Sequence, residues 1–261
     1  MRLYAATGDG IARLDEAGEA WTVDLLLSGS GAQCLAVDPT DPDTVYAGLR
    51  ESGVRRSTDG GRSWIDCRLP EPGVFSLDTR NGGLHSLGSL PVGVHDAAAS
   101  VVGGRDVIFG GGTPSTVGSV EGFPAGRSGR LGSLPTPRSD GSAVTIGKTT
   151  YIIGGYTGKS PDAAVLATTN GRTYRSVASL PVPVRYPAVA SVSGKLYVFG
   201  GEAITGRRSG SPINDIQEVD PTTHSSQVVA HMPEPLQGSA AVELGGNVYL
   251  VGGETSQRQP T

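Results

Sequence analysis

The sequence predicts an all-β fold, a β-propeller of four-stranded antiparallel blades, and three observations predict it. Glycine and proline are abundant, 40 and 18 in 261 residues, while hydrophobic residues make up only 37%. That balance suits many short strands joined by tight turns rather than long helices. From about residue 93 the pairs Gly110-Gly111, Gly154-Gly155, Gly200-Gly201 and Gly252-Gly253 recur at spacings of 44, 46 and 52 residues. The prolines Pro91, Pro135, Pro181 and Pro233, each after Leu or Met, recur at the same three spacings. Two independent markers that share one varying period of this length mean repeated propeller blades.

Taken in chain order, the N-terminus offers three strands, Arg2 to Thr7, Ile11 to Asp15 and Ala20 to Leu26. Asp43 to Leu49 reads as a strand that precedes Ser57-Thr58-Asp59-Gly60-Gly61-Arg62-Ser63-Trp64. A decayed copy, Leu14 to Trp21, places Trp21 43 residues before Trp64 and keeps a Gly three residues before the Trp. The segment 1–70 therefore resembles the Asp-box repeats of sialidase-like and sortilin-like propellers. That resemblance implies a hairpin turn in which the Asp holds backbone N–H groups, a Gly permits the bend and the Trp packs between sheets. Ser57, Asp59, Gly61, Ser63 and Trp64 are accordingly expected to be structural.

The next stretch breaks the period. Leu69-Pro70 and Leu90-Pro91 lie only 21 residues apart, so residues 71–92 read as a hybrid half-blade, with Val74 to Asp78 and Leu84 to Leu90 as its strands. Beyond it, Ser142 to Ile146 and Thr150 to Ile153 are adjacent strands around the turn Gly147-Lys148, and Ala188 to Val192 with Leu196 to Phe199 repeat the pattern. An alternating small/aliphatic strand followed by an aromatic-bearing strand closing in a glycine pair, as in Lys195-Leu196-Tyr197-Val198-Phe199-Gly200-Gly201, resembles the kelch repeat. The resemblance covers residues 74–254, and residues 93–261 are read as kelch-type blades. It departs from the family in lacking a Trp late in each blade, a place that Tyr174 fills once.

Two strands close the chain, Ala240 to Leu244 and Asn247 to Val251, against three at its start. The tally of 23 strands is one short of six full blades. The expectation is one propeller domain over residues 1–261, six blades being favoured, with five blades or a ring completed between chains as alternatives. A monomer and a strand-exchanged homo-oligomer follow respectively. Two blade types in one chain suggest an engineered or recently recombined hybrid of two propeller families.

Composition narrows the functions. Net charge is −4 and no run of Lys or Arg exceeds two residues, which excludes the electrostatic footprint of a nucleic-acid binder. Neither an apolar leader region nor a run of roughly 20 apolar residues is present, so no membrane contact is expected and the chain reads as cytoplasmic. Cys34 and Cys67 read as reduced thiols too far apart to bridge. The arginine triad, Tyr nucleophile and Asp acid of sialidases cannot be assembled from the residues present. His85, His95, His224 and His231 have no metal-ligand spacing of the kind that copper-binding kelch oxidases need. No catalytic residue, no metal ligand and no cofactor is expected, and the chain is read as a non-enzymatic scaffold or binding module.

Blade topology then predicts where a ligand would sit. The connection after each Leu-Pro carries His95, Arg138, Arg185, Tyr186 and Gln237 at nearly one offset and rings the channel mouth together with the loops between second and third strands, including Arg207 and Arg208. A protein, a peptide or a small anionic ligand is the expected partner there. The rival reading is a carbohydrate-active enzyme or lectin derived from an Asp-box parent, and a tightly clustered Asp/Glu pair with an Arg would favour it.

Overall fold

The computed structural model describes residues 1–256 except 8, 19, 39, 69–89, 92, 124–128 and 205–209. Two compact units divide the chain, Met1–Ser86 and Leu87–Thr261. The expected half-blade strands fall almost wholly outside the described residues, as do His85, Arg207 and Arg208.

The first unit begins with a three-stranded sheet in the order β1 (Arg2–Ala6), β2 (Ile11–Ala17), β3 (Ala20–Leu26). A four-stranded antiparallel meander follows, β4 (Ala32–Asp38), β5 (Asp41–Leu49), β6 (Val54–Ser57) and β7 (Ile65–Asp66). Ile11, Ala32, Ala47 and Leu49 form the core between them, and Leu26, Leu27, Leu35 and Trp64 close over it. Neither cysteine is in a disulfide, and burial pushes the Cys34 thiol up to about 11, so little of it is the reactive thiolate at neutral pH.

The second unit repeats the meander. Its blades are β8 (Ala98–Val102), β9 (Arg105–Phe109), β10 (Ser119–Phe123) and β11 (Gly129–Ser133), then β12 (Ser142–Ile146), β13 (Thr149–Ile153), β14 (Ala164–Thr168) and β15 (Arg175–Ser179). A third comprises β16 (Ala188–Val192), β17 (Lys195–Phe199), the short β18 (Glu202–Ala203), β19 (Ser211–Asp220) and β20 (Ser225–Leu236), and β21 (Ala240–Leu244) pairs with β22 (Asn247–Val251). Period-2 alternation explains the packing. Val107, Phe109 and Val120 of one blade meet Ile152 and Leu166 of the next, and Ile153, Val165 and Val177 meet Leu196, Val198 and Val219.

The fold is the expected β-propeller of antiparallel four-stranded blades. The favoured count of six is corrected: four full blades plus terminal sheets of three and two strands are the inventory of five among the described residues.

Successive blades of the second unit are stitched at the glycine pairs. In three of the four pairs the second glycine donates its N–H to a carbonyl at or just beyond the end of its blade's last strand: Gly111 to Arg138, Gly155 to Val184 and Gly201 to Leu236, at 2.9, 2.8 and 2.8 Å. Close backbone approach, rather than turn formation alone, is what the pair supplies.

Candidate functional site

Each connecting loop of the second unit pairs with the residue just after a glycine pair. The bridges are His95 with Gly112, Ser139 with Tyr156, Arg185 with Glu202 and Gln237 with Glu254. The following residue takes a left-handed conformation in every case: Asp96, Asp140, Tyr186 and Gly238, with φ of 52°, 59°, 54° and 67°. These residues form a ladder from blade to blade, since Asp140 N–H donates to Asp96 O at 2.8 Å, Tyr186 N–H to Asp140 O at 2.7 Å and Gly238 N–H to Tyr186 O at 2.9 Å. Three non-glycine residues held in this region store strain, which concentrates where structure serves a site.

His95, Arg185 and Gln237 therefore occupy one structural position, and Tyr186 the position after it. Arg138 does not. It stands one residue earlier, where the other loops carry Val94, Val184 and Leu236, and it is 3% exposed. Its guanidinium donates to the Gly154 and Ala164 carbonyls at 3.0 and 3.1 Å and pairs with Asp162 at 2.6 Å. Its expected place at the channel mouth is corrected by this burial, and Ser139 takes the equivalent position.

Side chains gather around Arg185. Both its Nε and Nη2 donate to Glu202 Oε1, at 2.9 and 2.5 Å, and Nη1 lies 3.8 Å from Asp140 Oδ2. Its guanidinium also stacks 5.1 Å from the Tyr156 ring and 5.3 Å from the Tyr186 ring. Burial, reinforced by the charge of Asp96, raises the Asp140 carboxyl above the ordinary range although Arg185 opposes it. Burial and the same two carboxylates push the Tyr186 phenol up to about 12. His95 pairs with Asp96 at 2.8 Å and is raised by that bond. Gln237 leaves its Oε1 without a hydrogen bond. An Arg flanked by an Asp/Glu pair is thus present in the second unit, the arrangement named above as favouring the carbohydrate reading. Among the described residues no cluster of His, Cys, Asp and Glu could hold a metal ion.

The five box residues meet in one turn between β6 and β7. Ser57 Oγ donates to Asp59 Oδ1 at 2.7 Å and accepts the Gly61 N–H at 2.8 Å. Asp59 accepts the Ser63 N–H and hydroxyl at 2.9 and 2.6 Å, and those bonds, the hydroxyl first, hold its carboxyl far below the usual range. Trp64 Nε1 donates to Gly61 O at 2.9 Å.

The same turn recurs where the sequence reading found none. Between β14 and β15, Thr168 Oγ1 accepts the Gly171 N–H at 2.9 Å, Asn170 Oδ1 accepts the Arg172 and Thr173 N–H groups at 2.8 and 2.9 Å, and Tyr174 O–H donates to Gly171 O at 2.8 Å. Thr168-Thr169-Asn170-Gly171-Arg172-Thr173-Tyr174 is the box with one residue deleted, Asn for Asp and Tyr for Trp, and that alignment was the signal to look for. Because Ser57 is 1% exposed and Thr168 3%, removing either hydroxyl strands a glycine N–H. Ser57→Ala and Thr168→Ala should each cost about 2 kcal/mol in urea unfolding, and equal wild-type midpoints would show the turns to be dispensable.

No family model matches the chain. Segments of it are similar to three curated proteins. It is 33% identical over 87 residues to Kelch repeat and BTB domain-containing protein 12 of Danio rerio, a match covering 32% of this chain and 14% of that protein. It is 28% identical over 92 residues to Beta-scruin of Limulus polyphemus, covering 35% and 10%. It is 34% identical over 85 residues to the N-acetylneuraminate epimerase of Pasteurella multocida strain Pm70, covering 31% and 22%. The matches thus span less than a quarter of each relative's length. Among solved structures, that of YjhT superposes with a TM-score of 0.69 at 13% identity, covering 97% of this chain and 86% of the other. No helix among the described residues is long and apolar enough to cross a membrane. By fold the chain is a β-propeller, and its sequence likenesses support kelch repeats.

Proposed function

We propose that the chain is a non-enzymatic propeller that binds a protein partner through the surface built on the Asp96–Asp140–Tyr186–Gly238 ladder. The ladder carries the reading: it displays one side chain per blade, His95, Ser139, Arg185 and Gln237, at one structural position on a rigid scaffold. Kelch-repeat relatives support a binding role. A simple anion is a poor fit, because Arg185 is already neutralised by Glu202 and faced by Asp140. A polypeptide that stacks on Tyr186 and hydrogen-bonds His95 and Gln237 leaves that ion pair intact.

The test is selection from a phage-displayed random peptide library on the wild-type chain and on Tyr186→Ala, with circular dichroism to establish that the variant folds. Peptides retained by the first and at least tenfold weaker on the second are expected. Equal retention overturns the assignment of the surface.

The Arg185–Glu202–Asp140 group supports a second reading, recognition of a sugar through its hydroxyl groups, in keeping with the name of the epimerase relative. N-acetylneuraminate added to the chain should then perturb the Tyr156 and Tyr186 ring signals saturably and, for a catalyst, be epimerised faster than in solvent alone. Unperturbed rings remove this reading and leave the first.

A further inference from the structure

The first blade of the second unit has a face that its neighbours lack. Strand alternation puts Val120, Val107 and Phe109 in the core, so Ser119, Glu121 and Ile108 point to the other side. Glu121 is registered with Ile108 on β9 and with Arg130 on β11, making a cross-strand row of three. That row, with Ser119, Leu90, Pro91, Val94 and Gly110, lines a cavity of about 230 Å³. The space equals about eight water volumes, enough for a small organic molecule.

Glu121 is 8% exposed and its Oε2 has no hydrogen-bond partner. Arg130, the cation in the row, donates from Nε to Gly132 O at 3.4 Å and from Nη2 to Ser133 Oγ at 2.7 Å, not to Glu121 Oε2. The other blades show how this position is normally satisfied. Leu166, its equivalent on β14, is apolar and packs in the core. Gln217, its equivalent on β19, is fully buried and uses both ends of its amide, accepting from Val182 N at 2.9 Å and donating to Val182 O at 3.0 Å. Glu121 Oε2 has neither solution among the described residues. A carboxylate oxygen in an apolar enclosure is costly without a donor, most of all a charged one.

We propose that this cavity binds a small organic ammonium ion with a short aliphatic body. The ammonium donates to Glu121 Oε2 and to Ser119 Oγ, while the hydrocarbon lies against Leu90, Pro91, Val94 and Ile108. The site is separate from the ladder and does not depend on the function proposed for it.

The full chain carrying 13C-glutamate and methyl-labelled Ile and Val is titrated by NMR with n-butylammonium chloride at constant ionic strength, with n-butanol as the neutral control. The expected result is a saturable shift of the Glu121 carboxyl carbon together with the Ile108 and Val94 methyls, at least tenfold weaker for n-butanol. Glu121→Gln should weaken butylammonium binding tenfold or more. Ile108→Trp, which fills the cavity without touching the charge, should abolish it. Shifts that stay linear to the highest concentration, equal affinity for amine and alcohol, or unchanged binding by either folded variant overturn the proposal. The wild-type titration decides the matter even if a variant does not fold.

Discussion

Gly200→Ala should lower stability by about 4 kcal/mol, a melting-temperature loss of roughly 10 °C, whereas Gly252→Ala at the same place in the repeat should cost only about 1 kcal/mol. Both glycines are left-handed, with φ of 56° and 68°, so both substitutions bear the same backbone strain. They differ in what a methyl group would meet. At Gly200 it would lie 2.3 Å from Leu236 O and 3.0 Å from Ile213 O, and both carbonyls already accept hydrogen bonds or hold strand ends that cannot retreat without opening the sheet. Leu236 O is the acceptor for Gly201 N–H at 2.8 Å, so relieving the clash breaks the stitch between the turn after β17 and the end of β20. At Gly252 nothing lies within 4 Å. Urea unfolding of the two variants side by side measures the difference. Equal losses would mean that conformational strain alone explains the recurrence of the pairs along this chain, and that close approach contributes nothing.

Much of this architecture was legible because short strands with alternating burial leave a period-2 trace. The terminal strands Ala240–Leu244 and Asn247–Val251 have the bounds that the sequence suggests, and the hairpin Ser142–Ile146 with Thr149–Ile153 gains one residue. The Met232-Pro233 mark misled. It was expected to end a blade, yet β20 runs on through Pro233 and Pro235 to Leu236. Proline removes only a donor, and β20 pairs with β19 alone, so its outer side needs none. The blade count came out at five, the stated alternative to the favoured six, while the half-blade read from motif spacing at residues 71–92 lies almost wholly outside the described residues.

The contrast between two blade types was also sharper in sequence than in space. Trp64 and Tyr174 each bond the carbonyl three residues back, Gly61 O and Gly171 O, at 2.9 and 2.8 Å. A pattern search keyed to Asp and Trp misses the second turn, because hydrogen bonding needs only an acceptor side chain and a ring bearing a donor. The Arg185 group was half legible for a different reason. Arg185 and Tyr186 stand in one loop, but Glu202 reaches them through its backbone bridge to Arg185 and Tyr156 through ring stacking from the preceding blade, neither of which a local pattern reveals.

Asp162→Ala should cost about 3–5 kcal/mol, Arg138→Leu distinctly less, and the double variant less than Asp162→Ala alone. The order follows from which charge is left behind. Removing Asp162 leaves a guanidinium, 3% exposed, with only the Gly154 and Ala164 carbonyls, and also deletes the acceptor of Ala164 N–H at 2.9 Å. Burial already pulls the Arg138 pKa down and the charge of Asp162 opposes it, so the ion pair is what keeps the buried cation tolerable. Removing Arg138 instead leaves a carboxylate that is 17% exposed and can hydrate, and installs the kind of side chain that Val94, Val184 and Leu236 supply at the same position. A double-mutant cycle in urea measures the coupling, and additive losses would mean that the two groups do not stabilise each other. The cycle also separates structure from recognition. Arg138→Leu should leave peptide retention unchanged, whereas Tyr186→Ala should remove it, because the first side chain is part of the blade's interior and the second belongs to the ladder that displays the surface.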